Sequence, residues 1–204
     1  MRIILGAGFS GGVLAFALGC SSGGAATTGG ASSGAPSAQA KTSTSSASAA
    51  PASAAARDTL KVGDPAPDVV FSFTDGTTAS LASLKGQAVL VYFYPQDDTP
   101  GCTKEAEGIR DAWADFQAAK IKVVGVSMQD ATSHQAFVDK YKLPFSLATD
   151  VDGALATAFK VPFQAQHAAR QSFLVDKDGK ISAVWLRVDP SAHASEVLAK
   201  AKGA

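Results

Sequence analysis

The sequence predicts an α/β fold of three layers, in which helices cover both faces of a central sheet. Two continuous apolar runs, residues 88–94 and 121–127, are rich in β-branched and aromatic side chains, as is typical of strands buried in a sheet centre. Between them, residues 99–120 repeat apolar side chains every three or four positions, which indicates an amphipathic helix. This alternation of strand and helix favours a layered α/β architecture.

The other elements follow from short apolar runs bounded by turn residues. Thr99 and Ser191 are predicted N-caps, and Pro100 suits the first position of a helix because its missing N–H costs nothing there. In chain order, we predict a hairpin strand at 69–73 that turns at Asp75-Gly76, a short segment at 80–85, strand 88–94, helix 99–120, strand 121–127, helix 133–141, strand 145–148, helix 153–159, a hairpin of strands 171–176 and 180–188, and helix 191–202.

The N-terminus predicts an export signal over residues 1–19. Arg2 precedes an apolar stretch that is too short and too glycine-rich for a transmembrane helix. Ala17-Leu18-Gly19-Cys20 resembles the lipobox of bacterial lipoproteins, which implies cleavage before Cys20 and acylation of its sulfur. We therefore expect an exported, membrane-anchored lipoprotein on the periplasmic side or cell surface of a bacterium. The alternative is a conventional signal with an incidental cysteine.

Residues 20–57 form the second predicted segment, a flexible tether. After Cys20, every residue is Ala, Ser, Thr, Gly or Pro except Gln39, Lys41 and Arg57. Such a composition buries too little apolar surface to offset the entropy of ordering. The folded domain is therefore expected over residues 58–204. A formal net charge of zero with no basic cluster gives no support to nucleic-acid binding.

Cys102 is the residue with the clearest chemical potential. Thr99 and Pro100 place it in the first turn of a helix, where free N–H groups and the helix dipole favour a thiolate. The two cysteines of the chain give no disulfide framework. His134, His167 and His193 fall in different elements without cysteine or carboxylate at ligand spacing, so no metal site is expected.

The residues around Cys102 resemble a known family. Pro95-x-x-x-Thr99-x-x-Cys102 is similar to the active-site signature of peroxiredoxins. The longer run from Phe93 to Ala106 resembles the bacterioferritin-comigratory, or Q-type, subgroup, and the likeness extends over roughly residues 60–200. It implies a thioredoxin-like fold with the peroxiredoxin insertions, and a thiol-dependent peroxidase that needs no bound cofactor.

The resemblance also implies a role for each residue of the motif. Cys102 would attack the peroxide, the Thr99 hydroxyl would bind thiolate and peroxide, and Pro95 would shield the sulfur. The N–H groups of Gly101 and Cys102 would donate to peroxide oxygen. Arg170, which precedes a Q-type Ser-Phe-Leu-Val-Asp run, would hold the thiolate and polarise the peroxide, a task that suits a planar cation.

One departure from the family pattern predicts how Cys102 is reduced again after it has reacted with peroxide. Many Q-type proteins carry a resolving cysteine five residues after the first, where this chain has Glu107. We therefore expect a one-cysteine cycle in which an external thiol, either a thioredoxin-like protein or a small molecule, reduces the Cys102 sulfenic acid. A thiol redox sensor or disulfide-exchange module is the alternative. The expected partners are hydrogen peroxide or organic hydroperoxides, the reductant and a membrane, with the domain a monomer or a dimer.

Overall fold

The apolar runs that predict strands lie side by side in one five-stranded sheet. The computed structural model describes residues 59–202, so the predicted signal peptide and the whole predicted tether, including Cys20, lie outside it. The strands are β1 Val70–Ser72, β2 Thr78–Ser80, β3 Ala88–Phe93, β4 Ile121–Ser127, β5 Ser146–Thr149, β6 Phe163–Gln164, β7 His167–Ala168, β8 Gln171–Val175 and β9 Ile181–Trp185. The helices are α1 Pro100–Asp111, α2 Trp113–Ala118, α3 Ala131–Tyr141, α4 Ala154–Ala158 and α5 His193–Lys202, with a 3₁₀ turn at Leu81–Leu84.

The sheet has the strand order β5-β4-β3-β8-β9. Strands β3, β4 and β5 run parallel, because the connections through α1–α2 and α3 return the chain to the same end. Strand β8 pairs antiparallel with β3, and β9 closes the sheet as the second arm of a hairpin with β8. The register sets Gln171 opposite Phe93, so the residue before β8 lies beside the end of β3.

Both faces of the sheet are buried, which confirms the predicted three layers. Along β3, Val89, Val91 and Phe93 face one apolar cluster, which also receives α4, β1 and the 3₁₀ turn. Leu90 and Tyr92 face the other cluster, together with side chains of α1, α2, α3 and α5. Alternation along a central strand therefore divides the core into two parts.

The prediction of one long helix over residues 99–120 is wrong, because the structure has two shorter helices there, α1 and α2. Ala112 has φ −92° and ψ 12°, which lies outside the helical region and ends α1. Its N–H still bonds to the Gly108 carbonyl oxygen at 3.2 Å. After the break, residues 113–118 form the separate helix α2, which packs against β4 through the buried Phe116.

Thr99 is the N-cap residue of α1, as predicted, but it makes no side-chain capping bond, and the predicted cap at Ser191 is wrong. The Thr99 backbone is extended, and its hydroxyl donates to the Gln96 carbonyl oxygen at 3.1 Å. Helix α5 begins at His193, two residues after Ser191, and the Ser191 hydroxyl instead donates to Asp189 at 2.6 Å. In both cases a nearby loop oxygen competes with the helix end for the same side chain.

Strands β6 and β7 form a two-stranded hairpin that the sequence does not predict. Its turn residues, Ala165 and Gln166, have φ values of 49° and 61°. A turn with two positive φ angles is normally signalled by Asn or Gly, and neither is present. No helix within residues 59–202 is long and apolar enough to cross a membrane.

Candidate active site

Cys102 occupies the first turn of α1, as the sequence predicts. Pro100 is the first residue of the helix, and the first intrahelical bond runs from the Thr103 N–H to the Thr99 carbonyl oxygen at 2.8 Å. The thiol is free, and the residue is only 2% exposed. The sulfur therefore lies in a largely desolvated position at the positive end of a twelve-residue helix.

Arg170 faces this sulfur from the neighbouring strand. It stands one residue before β8, which places it beside the end of β3 and the loop that leads to α1. Its Nη2 lies 3.1 Å from the Cys102 Sγ. Sequence reasoning paired these two residues only through the family resemblance, and the structure brings them into contact.

Glu105 is a third member of the site, and sequence reasoning gave it no role. Its carboxylate is fully buried and forms an ion pair with Nη1 of Arg170, so the guanidinium bridges Glu105 and Cys102. The other carboxylate oxygen lies 2.9 Å from Nδ1 of His193, at an angle that departs from a regular hydrogen bond. The spacing of Glu105 in the sequence could have indicated its burial, because Glu105 lies with Cys102 and Ala106 on the buried stripe of α1.

The electrostatics of the site follow from this arrangement. Burial lowers the pKa of Arg170, but the negative charges of Glu105 and the Cys102 sulfur raise it by more, so the net pKa lies above the usual value for arginine. Burial and the Glu105 charge likewise hold the pKa of Tyr92 well above its usual value. Arg170 is therefore a permanent cation, and the Tyr92 hydroxyl stays neutral.

Gly101 leaves room for the guanidinium. A Cβ at this position would lie 3.3 Å from Nη2 of Arg170, closer than most side-chain contacts. The N–H groups of Gly101 and Cys102 precede the first intrahelical bond of α1, so both are available to a ligand. Glycine at this position therefore permits the close approach of the Arg170 guanidinium.

Thr99 and Pro95 lie on the loop that joins β3 to α1. Both are half-buried, and Pro95 follows the end of β3 by two residues. The Thr99 hydroxyl donates its single proton to the Gln96 carbonyl oxygen, so it can form further hydrogen bonds only as an acceptor. Donation from Thr99 to a thiolate or peroxide thus requires its hydroxyl to rotate.

The same loop is held by a buried polar cluster that sequence reasoning missed. Asp97 accepts hydrogen bonds from Tyr94 and Ser133, both at 2.7 Å, and its Oδ2 lies 2.9 Å from Nδ1 of the buried His134. Burial raises the pKa of Asp97, but the hydrogen bonds from His134, Ser133 and Tyr94 lower it below the usual value. An ionised Asp97 therefore ties the loop to α3.

The three histidines contact different side chains in the described part of the chain. His167 lies on the exposed β6–β7 hairpin, with Nε2 3.2 Å from the Gln96 side-chain oxygen. No group of three or more His, Cys, Asp or Glu within residues 59–202 is arranged to hold a metal ion.

Comparison with known proteins identifies the relatives of this fold and site. The chain matches the AhpC/TSA family over residues 62–184. It is 40% identical over 149 residues to a putative peroxiredoxin bcp of Coxiella burnetii, covering 70% of this chain and 99% of that protein. It is 39% identical over 139 residues to a chloroplastic peroxiredoxin Q of Populus jackii, covering 67% of this chain and 65% of the plant protein.

Solved structures agree with the sequence relatives. The peroxidoxin BcpB of Mycobacterium tuberculosis superposes with a TM-score of 0.66 at 29% identity, over 71% of this chain and 97% of that one. Peroxiredoxin Q of Xanthomonas campestris superposes with a TM-score of 0.65 at 32% identity, over 71% and 96%.

The thioredoxin-like fold and its thiol site define a thiol-dependent peroxidase. The chain belongs to the AhpC/TSA family and is a peroxiredoxin with its relatives in the bacterioferritin-comigratory and Q-type group, which confirms the resemblance read from residues 93–106.

Proposed function

We propose that Cys102 is the peroxidatic nucleophile, and that it reduces hydrogen peroxide and organic hydroperoxides in a one-cysteine cycle. The observation that carries the proposal is the 3.1 Å contact between the Cys102 Sγ and Nη2 of Arg170. A thiolate beside a permanent cation, at a helix N-terminus, is the activated form of a cysteine nucleophile.

In the first step, the Cys102 thiolate attacks the distal oxygen of ROOH. The S–O bond forms as the O–O bond breaks, and the departing alkoxide takes a proton to leave as ROH. Arg170 and the N–H groups of Gly101 and Cys102 are the donors proposed to face the charge that builds on the oxygens. Thr99 and Pro95 are proposed to shape the same pocket.

In the second step, an external thiol reduces the sulfenic acid. The thiol attacks the Cys102 sulfur, water leaves, and a mixed disulfide forms. A second thiol then attacks the mixed disulfide, which releases reduced Cys102 and a disulfide of the reductant. The absence of any cysteine besides Cys102 from residues 58–204 supports this route, because Cys20 is the only other one in the sequence.

The proposal includes organic hydroperoxides as substrates because of the activity of a related protein. The bacterioferritin comigratory protein of Xanthomonas campestris, 32% identical to this chain, has been described with alkyl peroxide reduction activity. Recognition of the O–O group by Arg170 and the backbone N–H groups, as proposed here, would place few demands on the R group of the substrate.

The test is stopped-flow reaction of the reduced full chain with hydrogen peroxide, beside Cys102→Ser. A Cys102-dependent rate orders of magnitude above that of free cysteine supports the proposal. A rate equal to free cysteine would contradict it and favour the redox-sensor or disulfide-exchange alternative. Mass spectrometry of the oxidised chain then tests the cycle, because a Cys20–Cys102 disulfide as the main product would exclude the one-cysteine route.

The same proposal includes a cellular location. We infer that residues 1–19 are a lipoprotein signal, that Cys20 is acylated, and that residues 20–57 tether the enzyme to a membrane surface; Ala17-Leu18-Gly19-Cys20 supports this. In cells that express the chain, labelled palmitate should be incorporated into the wild type and not into Cys20→Ser. Equal labelling of both would contradict lipidation at Cys20.

A further inference from the structure

Behind the cysteine and the arginine lies a second buried pair, which the proposed chemistry does not use. Glu105 and His193 are both completely buried, and Nδ1 of the imidazole lies 2.9 Å from Oε1 of the carboxylate. The other carboxylate oxygen, Oε2, pairs with Arg170. Contacts therefore run without interruption from Cys102 through Arg170 and Glu105 to His193 on α5.

The imidazole is oriented by aromatic neighbours on two strands. Its ring lies edge-on to Tyr92 of β3, with centroids 6.3 Å apart, and to Trp185 of β9, with centroids 5.9 Å apart. Within the described residues, both ring nitrogens are buried and neither forms a regular hydrogen bond. The 2.9 Å approach of Nδ1 to Oε1 is the polar contact of this ring, so Glu105 is the group toward which it is directed.

We propose that His193 is a positioning residue for the peroxide step, acting through Glu105 to hold Arg170 against the Cys102 sulfur. Because His193 engages Oε1, the carboxylate presents Oε2 to Nη1 of Arg170, which leaves Nη2 for the sulfur. Without His193, Arg170 is the one remaining polar partner of the buried carboxylate among the described residues. The guanidinium would then shift toward Glu105 and away from the sulfur.

His193 does not touch the reacting atoms, so its effect should appear mainly where Arg170 acts. Alkylation of Cys102 by iodoacetamide needs a thiolate but develops little charge that Arg170 must stabilise. Peroxide attack needs the thiolate and also a cation aimed at the breaking O–O bond. The ratio of the peroxide rate to the iodoacetamide rate therefore measures how well Arg170 is positioned to stabilise the breaking O–O bond. Substitution of a residue with only a packing role would leave this ratio unchanged.

Two amide variants separate the polar contact from packing. In His193→Asn, the amide nitrogen stands at the same bond position as Nδ1, so it can reach Glu105. In His193→Gln, the amide nitrogen stands where Nε2 was and turns away from the carboxylate. Val197→Ala is the matched control, because Val197 lies one turn further along α5, is completely buried and has an apolar side chain that can make no polar contact with Glu105.

The experiment measures both rates and the melting temperature for the full-length wild type, the two amide variants and Val197→Ala. This inference rests on the proposed roles of Cys102 and Arg170, so the wild type and Cys102→Ser are measured first. A wild type no faster than free cysteine would refute those roles, and with them the basis of this inference. Given a fast wild type, we expect the rate ratio to fall about tenfold or more in His193→Gln, which is part of the roughly 10²–10³-fold cost of removing such a donor outright.

In His193→Asn the ratio should stay within about threefold of wild type, a change that is small beside the roughly 10²–10³-fold cost of removing a donor outright. Val197→Ala should melt at a lower temperature with an unchanged ratio. The proposal would be overturned if the two amide variants gave the same ratio as each other or as wild type. It would also be overturned if the ratio of Val197→Ala fell together with its melting temperature.

Discussion

Arg170 and Cys102 stand 68 residues apart in the chain, yet Nη2 of the arginine lies 3.1 Å from the cysteine sulfur. The contact exists because β8 pairs with β3, and the loop after β3 leads directly into α1. The arginine side chain is only 19% exposed, and the sulfur beside it is almost completely buried. Water therefore screens this pair far less than it would an ion pair at the surface.

Replacement of Arg170 should slow the reaction with peroxide. Arg170→Met removes a donor aimed at the developing charge, which costs on the order of 10²–10³ in rate at comparable sites. Arg170→Lys should also lose more than about tenfold, because one ammonium cannot reproduce the fork that bridges Glu105 and Cys102. Stopped-flow rates measure both, with the exposed Arg187→Met as the control that keeps the wild-type rate. An Arg170→Lys rate equal to wild type would show that charge alone suffices.

Two glutamates of α1 should differ sharply in their effect on stability. Glu105 is completely buried and paired with Arg170, whereas the Glu107 side chain is 39% exposed and pairs with Arg110 at 3.3 Å. Glu105→Leu leaves Arg170 without its carboxylate partner, so the free energy of unfolding should fall by about 3–5 kcal/mol. Glu107→Leu should change it by less than about 1 kcal/mol, as for most exposed ion pairs. Urea unfolding measures both, and equal losses would contradict this assignment of burial.

The elements that the sequence predicted are those whose signals are local. The run at residues 88–94 identifies a buried strand by composition alone, and Pro100 marks the helix start that positions Cys102. No local residue signals the break at Ala112, because the apolar side chains of the 99–120 segment keep their helical spacing through that point. Thr99 is the N-cap of α1 as predicted, but its hydroxyl bonds to the Gln96 carbonyl oxygen and not to the helix end, and the sequence gives no sign of that preference.

The site was predicted only in part, for the same reason. Cys102 follows from its local pattern, whereas Arg170 needed the family resemblance, because its partner lies on another element. The spacing of Glu105 places it on the buried stripe of α1, but its pairing with His193 follows only when α1 and α5 pack together and exclude water from both. A sequence shows that a residue is polar, but the tertiary contacts decide whether that polarity is buried and with which partner it pairs.

Asp97 should make the stability of the protein depend on pH. Its pKa in the folded protein lies below the usual value, because hydrogen bonds from His134, Ser133 and Tyr94 outweigh the effect of burial. Its stabilising contribution is therefore present above the unfolded pKa of about 3.9, and it is lost as the pH falls through the lower folded pKa. Asp97→Asn should lower the free energy of unfolding by about 2 kcal/mol at pH 7.

The difference between Asp97→Asn and wild type should shrink as the pH falls below about 4, where wild-type Asp97 takes up a proton in the unfolded state and then in the folded state. Denaturant unfolding at a series of pH values measures it. Asp68→Asn, at an exposed position before β1, should follow the wild type throughout. A difference between Asp97→Asn and wild type that stayed constant down to pH 2 would exclude this linkage.

Glu107→Cys should restore an intramolecular disulfide on treatment with peroxide. Positions 102 and 107 both lie in α1, where five residues rise about 7.5 Å along the axis, and a disulfide requires Cα atoms roughly 4.4–6.8 Å apart. The first turns of α1 must therefore unwind before the two sulfurs can meet. Arg110 opposes this, because its Nη1 donates to the Tyr141 carbonyl oxygen at 2.8 Å and ties α1 to the end of α3.

The disulfide should consequently form more slowly than the sulfenic acid, and faster when Arg110→Ala is added to Glu107→Cys. Mass spectrometry after one equivalent of peroxide measures it as a loss of two hydrogen atoms from the chain, with Glu107→Ser as the control that keeps a trappable sulfenic acid. If a dimedone-reactive sulfenic acid persisted at Cys102 in both Glu107→Cys proteins, unwinding of α1 would be too rare to matter. The missing resolving cysteine would then be only one of two barriers to an internal disulfide, the stability of α1 being the other.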